Sequence, residues 1–160
     1  MTHSPGDRLS IRRAQPSDLE HLLHLMVEIM EHHRWPLPAE HRLRAILTDA
    51  LASDNHLFLL AEVSGVPVGM CALLFTVSTW SAAEAAEVQD MLVTQTYRRR
   101  GAGRTLLRAA MEEARKRGCF RVHLDAETWN VEAHRFYREM GFLEKPSRRF
   151  EINVGLEDQS

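Results

Sequence analysis

Only two cysteines, Cys71 and Cys119, occur in the 160 residues, and a pair cannot build a disulfide scaffold. No apolar run approaches the roughly 20 residues needed to span a bilayer. The opening Met1-Thr2-His3-Ser4-Pro5-Gly6-Asp7-Arg8 is polar and lacks an apolar h-region, so no secretory signal is visible. The cytoplasm is therefore the expected location. Repeats, low-complexity tracts and an interdomain linker are also missing from the sequence. With 44% hydrophobic and 26% charged residues, 8 glycines and 6 prolines, the chain falls outside the disordered, collagen-like and coiled-coil classes. Its length suffices for one domain with a real core and is short for two. The expectation is one domain over 1–160 with a polar tail over 1–8.

The net charge of −2 conceals an imbalance. From Arg98 to Arg121, nine Arg and Lys stand against Glu112 and Glu113; from Ser17 to Glu62, three arginines stand against eight acids. A chain so divided can hold an anion in one place and a cation in another. Solvated helix faces account for most of the acids, but not for arginines bunched around two glycines.

Alternation marks a first strand at Leu9–Ala14. Ser17 and Glu20 have capping-box spacing at the start of a helix whose stripe is Leu19, Leu22, Leu23, Met26, Ile29 and Met30. Trp35-Pro36-Leu37-Pro38 ends it, and a second helix is expected from Ala39 to Ala52. His56–Val63 and Val66–Phe75 read as strands joined through Ser64-Gly65. Val77–Ala85 reads as a loop and Glu87–Val93 as a strand. Leu106, Leu107, Ala110, Met111 and Ala114 mark a helix that Gly118 ends, with Arg115, Lys116 and Arg117 at the negative end of its dipole. A strand over Arg121–Ala126, a helix over Val131–Met140 and a closing strand over Arg149–Val154 complete a mixed α/β order.

Arg98-Arg99-Arg100-Gly101-Ala102-Gly103-Arg104-Thr105 lies between a strand and a helix. Glycines permit unusual backbone and close approach to a ligand. The unpaired amides of a helix start suit phosphate, and flanking arginines add charge-assisted bonds, so a pyrophosphate fits this turn. A P-loop is excluded because its first glycine would fall at Arg98, and the dinucleotide fingerprint fails at Leu106. No aromatic stacking set flanks the arginines, which argues against nucleic acid.

Arg98-x-x-Gly101-x-Gly103 after Glu87-Val88-Gln89-Asp90-Met91-Leu92-Val93 resembles the acetyl-CoA signature of the GCN5-related N-acetyltransferases. The later segments Leu124-Asp125-Ala126-Glu127-Thr128-Trp129-Asn130 and Ala133-His134-Arg135-Phe136-Tyr137-Arg138-Glu139-Met140-Gly141-Phe142 resemble its second half. The resemblance implies a single α/β domain whose mixed, mainly antiparallel sheet is flanked by helices, and acetyl-CoA as cosubstrate. It places pyrophosphate on the turn from Arg98 through Arg99, Arg100, Gly101, Ala102, Gly103 and Arg104 to Thr105. It places the pantetheine arm along Met91, Leu92 and Val93, with the Leu92 amide polarising the acetyl carbonyl and Asn130 adding a bond. An amide-bearing arm suits an open strand edge, and a developing oxyanion needs a preorganised donor. Tyr137 matches the family's general acid, which protonates CoA as it leaves.

An alkylamine with a pKa near 10 must lose a proton before it attacks. Glu84, Glu87 and Asp90 bring three acids with no cation between them in sequence. Strict alternation directs Glu84 and Asp90 to one face and Glu87 and Gln89 to the other. Many members of the family carry glutamate where Gln89 stands, and glutamine cannot act as a base. Asp90, Glu87 or a water chain is then the proton acceptor, with Asp90 favoured.

His21, His24, Glu28 and His32 share one helix face, yet a solvated face is the simpler reading and no metal is expected. Neither cysteine has the surroundings of a nucleophile. Trp35 and Trp80 could wall an acceptor pocket or cover the core. Trp80 after Phe75-Thr76, with Trp129-Asn130, is faintly similar to the diamine and polyamine branch of the family. The leading expectation is acetyl transfer to a primary amine of a small, cationic molecule in a ternary complex, with no nucleic acid or membrane partner. A protein N-terminus or lysine as acceptor, and a non-catalytic acyl-CoA-binding module, are the alternatives. Members of the family often pair, which leaves a homodimer open.

Overall fold

The computed structural model describes residues 8–155; the expected polar tail, apart from Arg8, lies outside them. The chain divides into two compact units, Met1–Asp125 and Ala126–Ser160.

The first unit runs β1 (Leu9–Arg13), α1 (Leu19–His33), α2 (Glu40–Ala52), β2 (His56–Val63), β3 (Val66–Ser78), β4 (Ala83–Val93), α3 (Ala102–Arg117) and β5 (Val122–His123). The strands form one sheet in chain order, antiparallel except for the parallel β4–β5 pair. This is the mixed, mainly antiparallel α/β architecture expected.

Ser64 and Gly65 both take positive φ, 52° and 77°, the handedness that matches the twist of a tight hairpin. The stretch 77–85 differs from expectation. β3 runs on to Ser78 and β4 begins at Ala83, paired Ser78↔Ala83 and Val77↔Glu84. Cross-strand bonding extends both strands through residues of weak strand preference.

One face of the sheet carries Phe58, Leu60, Met70, Ala72 and Leu92, packed with Leu22, Leu25, Met26 and Ile29 of α1 and Leu43 and Leu47 of α2. Leu25 joins the expected α1 stripe, whereas Leu19 and Met30 are only partly buried. Residues of the opposite parity, such as Leu59, Cys71, Leu73 and Phe75, are buried on the other face. There Arg117 of α3 lies 4.0 Å from the Phe75 ring centre, and Leu106, Leu107, Ala110 and Ala114 form the buried stripe of α3. Gly118, at φ 84°, terminates α3 as expected, behind Arg115, Lys116 and Arg117.

Ser17 is not the cap of α1. A 3-10 turn, Pro16–Asp18, precedes the helix, and Asp18, 5% exposed, accepts the Gln15 N–H at 2.7 Å. Arg12 donates two bonds to the same carboxylate, at 2.7 and 2.8 Å, and one to Glu62 at 2.8 Å. A charged fork serves the helix start better than a hydroxyl at Ser17.

The second unit contains α4 (Val131–Glu139), started by Asn130, whose Oδ1 accepts the Ala133 N–H at 3.2 Å. Gly141 turns the chain after it at φ 93°. The expected closing strand over 149–154 does not form: Phe150, Ile152 and Val154 are exposed, and no described strand pairs with them. Alternation fits a pleat, but a strand requires a neighbour to complete its hydrogen bonds.

Hydrogen bonding to Arg12, against the opposing effect of burial, lowers the Asp18 pKa to about 2. A depressed carboxylate stabilises the fold above its unfolded value near 4 and loses that contribution as pH falls through the folded value. Urea unfolding across a pH series is expected to show Asp18→Asn costing about 2 kcal/mol at neutral pH and little near pH 2. Equal loss at both ends would contradict the ion-pair account.

Candidate functional site

β3 and β4 pair without interruption up to Leu73↔Val88, then resume at Ala72↔Asp90. Gln89 is the extra residue of a β-bulge, and its side chain is exposed. The bulge reverses the expected alternation. Asp90 opposes Ala72 and Glu87 opposes Leu74, so both carboxylates lie on the α1/α2 face. Glu84, placed beside Asp90 by strict alternation, is on the α3 face instead. It is not free of cations, because Arg117 donates to it at 2.8 and 3.0 Å and holds its pKa below the ordinary value.

Glu87 and Asp90 are half-buried. Burial, and then the charge of Glu87, raises the Asp90 pKa. Desolvation disfavours the carboxylate form, and a like charge adds to the effect. The pair presents a proton acceptor beside a second negative group.

Bulges bend and twist the strand that carries them. β5 pairs with β4 only at Ala86↔Val122 and Glu87↔His123, before the bulge, which explains why the strand expected over Arg121–Ala126 shrinks to two residues. Beyond that point no described strand pairs with the outer edge of β4. The Thr94 N–H donates to Val68 O at 2.8 Å, and a Cβ on Gly69 would sit 2.7 Å from Leu92 O. Leu92 and Thr94 therefore face β3, and backbone alternation turns the Met91 and Val93 peptide groups away from it. The Leu92 amide, expected to meet an acetyl carbonyl, is in the β3 ladder instead. Gly69 carried no motif in the sequence, yet it permits this close approach of β3 to β4.

After β4 a 3-10 turn, Gln95–Tyr97, leads into the arginines. Arg98 donates through Nε to Val93 O at 2.8 Å, bracing the turn against the strand end. Arg99 and Gly101 take φ of 62° and 85°. Arg100 stands 5.5 Å from the Tyr97 ring centre. The Thr105 N–H and hydroxyl both reach Gly101 O at 3.0 Å, so the ladder of α3 begins at Thr105. The N–H groups of Ala102 and Gly103 precede it at the positive end of the helix. Turn, helix start and three arginines make a seat that suits a pyrophosphate.

In the second unit, Tyr137 is half-buried on α4, its ring 5.3 Å from that of Phe136 and 5.7 Å from that of Phe142. Asn130 uses Oδ1 on the helix cap, which leaves its Nδ2 group for donation.

Trp35 stacks on His33 at 4.4 Å, while Trp80 meets Phe120 edge-on at 5.6 Å. Burial first, and then Asp90, pushes the Cys71 thiol up to about 12, so it is no nucleophile at neutral pH. Among the described residues, no group of three or more His, Cys, Asp or Glu is arranged to hold a metal, and no helix is long and apolar enough to cross a membrane.

The model of the acetyltransferase (GNAT) family matches residues 20–142. An L-ornithine N5-acetyltransferase of Arabidopsis thaliana is 34% identical over 89 residues, 55% of this chain and 39% of the plant protein. The chain thus spans about two fifths of that relative's length. A thialysine N-epsilon-acetyltransferase of Bos taurus is 26% identical over 140 residues, 82% of each chain. A solved aminoglycoside N-acetyltransferase in complex with CoA shares the fold, with a TM-score of 0.82 at 21% identity, covering 94% of this chain and 99% of its own.

A Cβ on Gly101 would meet nothing within 4 Å, so alanine there is opposed by backbone conformation alone, by about 1–2 kcal/mol. If the turn relaxes to escape that strain, Gly101→Ala weakens coenzyme A binding by about tenfold. Calorimetric titration checks this; unchanged affinity would remove the left-handed turn from the binding site.

Proposed function

The chain belongs to the acetyltransferase (GNAT) family, and on that premise we propose that it transfers an acetyl group from acetyl-CoA to a primary amine of a small cationic molecule, by direct attack with both substrates bound. The observation that carries this reading is the pairing of Glu87 and Asp90 on one face of β4, beside a strand edge that no described strand covers. In this reading the turn Arg98–Thr105 holds the pyrophosphate, and the strand end Met91–Val93 runs along the pantetheine arm as a neighbouring strand would. Asn130 adds a bond through Nδ2.

An amine arrives as an ammonium, attracted by two carboxylates. Asp90, with its raised pKa, takes the proton, and Glu87 keeps a negative charge near the rest of the cation. A raised pKa makes the carboxylate a stronger base toward the ammonium. Tyr137 protonates the thiolate of CoA, as its match to the family motif implies. The relatives named for ornithine and thialysine act on amino acids that bear a second amine, which supports a cationic acceptor.

Thiol release from acetyl-CoA, measured across diamines, basic amino acids, aminoglycosides and short peptides, tests the reading. Release is expected with small polycations; release with peptides alone would redirect it to protein acceptors, and tight binding without release would make the chain a sensor. Tyr137→Phe and Asp90→Asn are each expected to cut turnover about a hundredfold while coenzyme A still binds. The base must be ionised, so activity falls as pH drops through the Asp90 pKa, which lies above the ordinary carboxylate value. Asp90→Asn removes that acid limb, and an acid limb that survives it assigns the proton to another group.

A further inference from the structure

The acetyl transfer proposed above, on which this inference rests, frees one proton in each turnover, because an ammonium and a thioester give an amide and a thiol. Asp90 receives that proton as the N–H bond breaks and an O–H bond forms, and it must ionise again before the next ammonium can react. Substrates lying against β4 displace the water that would otherwise carry the proton away. The face of the sheet around Asp90 then has to supply the route.

On that face Asp90 is flanked by Ala72 across the strand pair and by Leu92 along β4. Both are buried in the core and neither accepts a proton. The remaining neighbour along β4 is Glu87, whose charge acts on Asp90. Glu87 is flanked in turn by Leu74 on β3 and by His123 on β5. Paired residues of adjacent strands share a face, with backbones about 4.8 Å apart, so an imidazole stands next to the Glu87 carboxylate. His56 is in the same row, but two strands away behind Leu74.

Arg121, two residues before His123, lies over the Phe120 and Trp80 rings at 5.0 and 5.9 Å, and Asp125, two residues after it, is exposed. Among the described residues, no hydrogen bond or ion pair commits the Glu87 carboxylate or the His123 ring to another group. His123 keeps part of its surface in solvent and belongs to the last strand of the described sheet. A neutral imidazole can take a proton on one ring nitrogen and release the proton held on the other. We propose that His123 relays the proton of each turnover from the Asp90–Glu87 pair to solvent. The Asp90 O–H breaks as a Glu87 O–H forms, and that bond breaks as one ring N–H of His123 forms. The other ring nitrogen gives its proton to water, and the ring is left neutral.

Rapid-quench measurement of thiol release separates the first turnover from those that follow, with the diamines, basic amino acids and aminoglycosides named above as acceptors. In His123→Ala the first thiol is expected at the wild-type rate, followed by a steady state about a hundredfold slower. The KM for acetyl-CoA and the affinity for coenzyme A are expected to stay at their wild-type values. Imidazole in solution restores the steady rate of this variant and leaves the wild type unchanged. His123→Gln keeps a hydrogen-bonding group of similar reach that does not titrate, and is expected to be as slow as alanine. An unchanged steady rate in either variant, a slow first turnover, or failure of imidazole to rescue would overturn the relay while acetyl transfer stands. No thiol release by the wild-type chain with any of these acceptors would overturn acetyl transfer to small amines, and the relay with it.

Discussion

One extra residue in β4 determines how the first unit can work. Without Gln89 opposite no partner, β4 would remain in register with β3 along its whole length and Asp90 would face the same way as Glu84. That position lies toward α3, where Arg117 already neutralises a carboxylate. With the bulge, Asp90 turns to the α1/α2 face and joins Glu87, out of reach of that arginine. The same insertion bends the strand, so β5 pairs only below it. A relocated carboxylate and a shortened β4–β5 pairing are two results of one irregularity.

The arginine-glycine turn before α3 depends on how that strand ends. Leu92 packs into the core between sheet and helices, Gly69 lets its carbonyl approach β3, and Arg98 bonds back to Val93 O. The chain therefore enters the turn from a fixed position, and the positive φ values at Arg99 and Gly101 deliver it to the start of α3. The buried stripe of that helix, Leu106, Leu107, Ala110 and Ala114, holds its N-terminus in place. Burial of roughly 1.5–3 kcal/mol for each such leucine far exceeds the charge term of a helix dipole, about 0.3–1 kcal/mol. Core packing fixes the seat, and electrostatics then selects what occupies it.

Much of this was legible in the residues. Helix stripes, the Ser64-Gly65 hairpin, the Gly118 terminus and the glycine turn into α3 each follow from local chemistry, and the structure has them where their residues point. What failed depends on partners distant in sequence. The bulge is invisible to a period-two reading, because it is defined by the strand opposite. Ser17 lost the helix start to Asp18, because Arg12 and Glu62 approach only when β1 and β2 pair. Phe150, Ile152 and Val154 alternate as a strand should, but alternation specifies a face and not a neighbour. Gly69 reads as an ordinary strand glycine until Leu92 O is seen against it.

Glutamine at position 89 looked, in sequence, like the loss of a base. The geometry changes that inference. The bulged residue is the exposed one, and a carboxylate there would sit in water with little reason for its pKa to rise. Asp90, one residue on, is withdrawn from solvent and faces Glu87, the two conditions that raise a carboxylate above its ordinary pKa and make it the stronger base. A glutamate at 89 would also put a third negative charge beside the pair and raise the cost of ionising both. Neutral glutamine keeps the bulge without that repulsion, so the position is compatible with proton transfer through Asp90 and offers no argument for a chain that only binds.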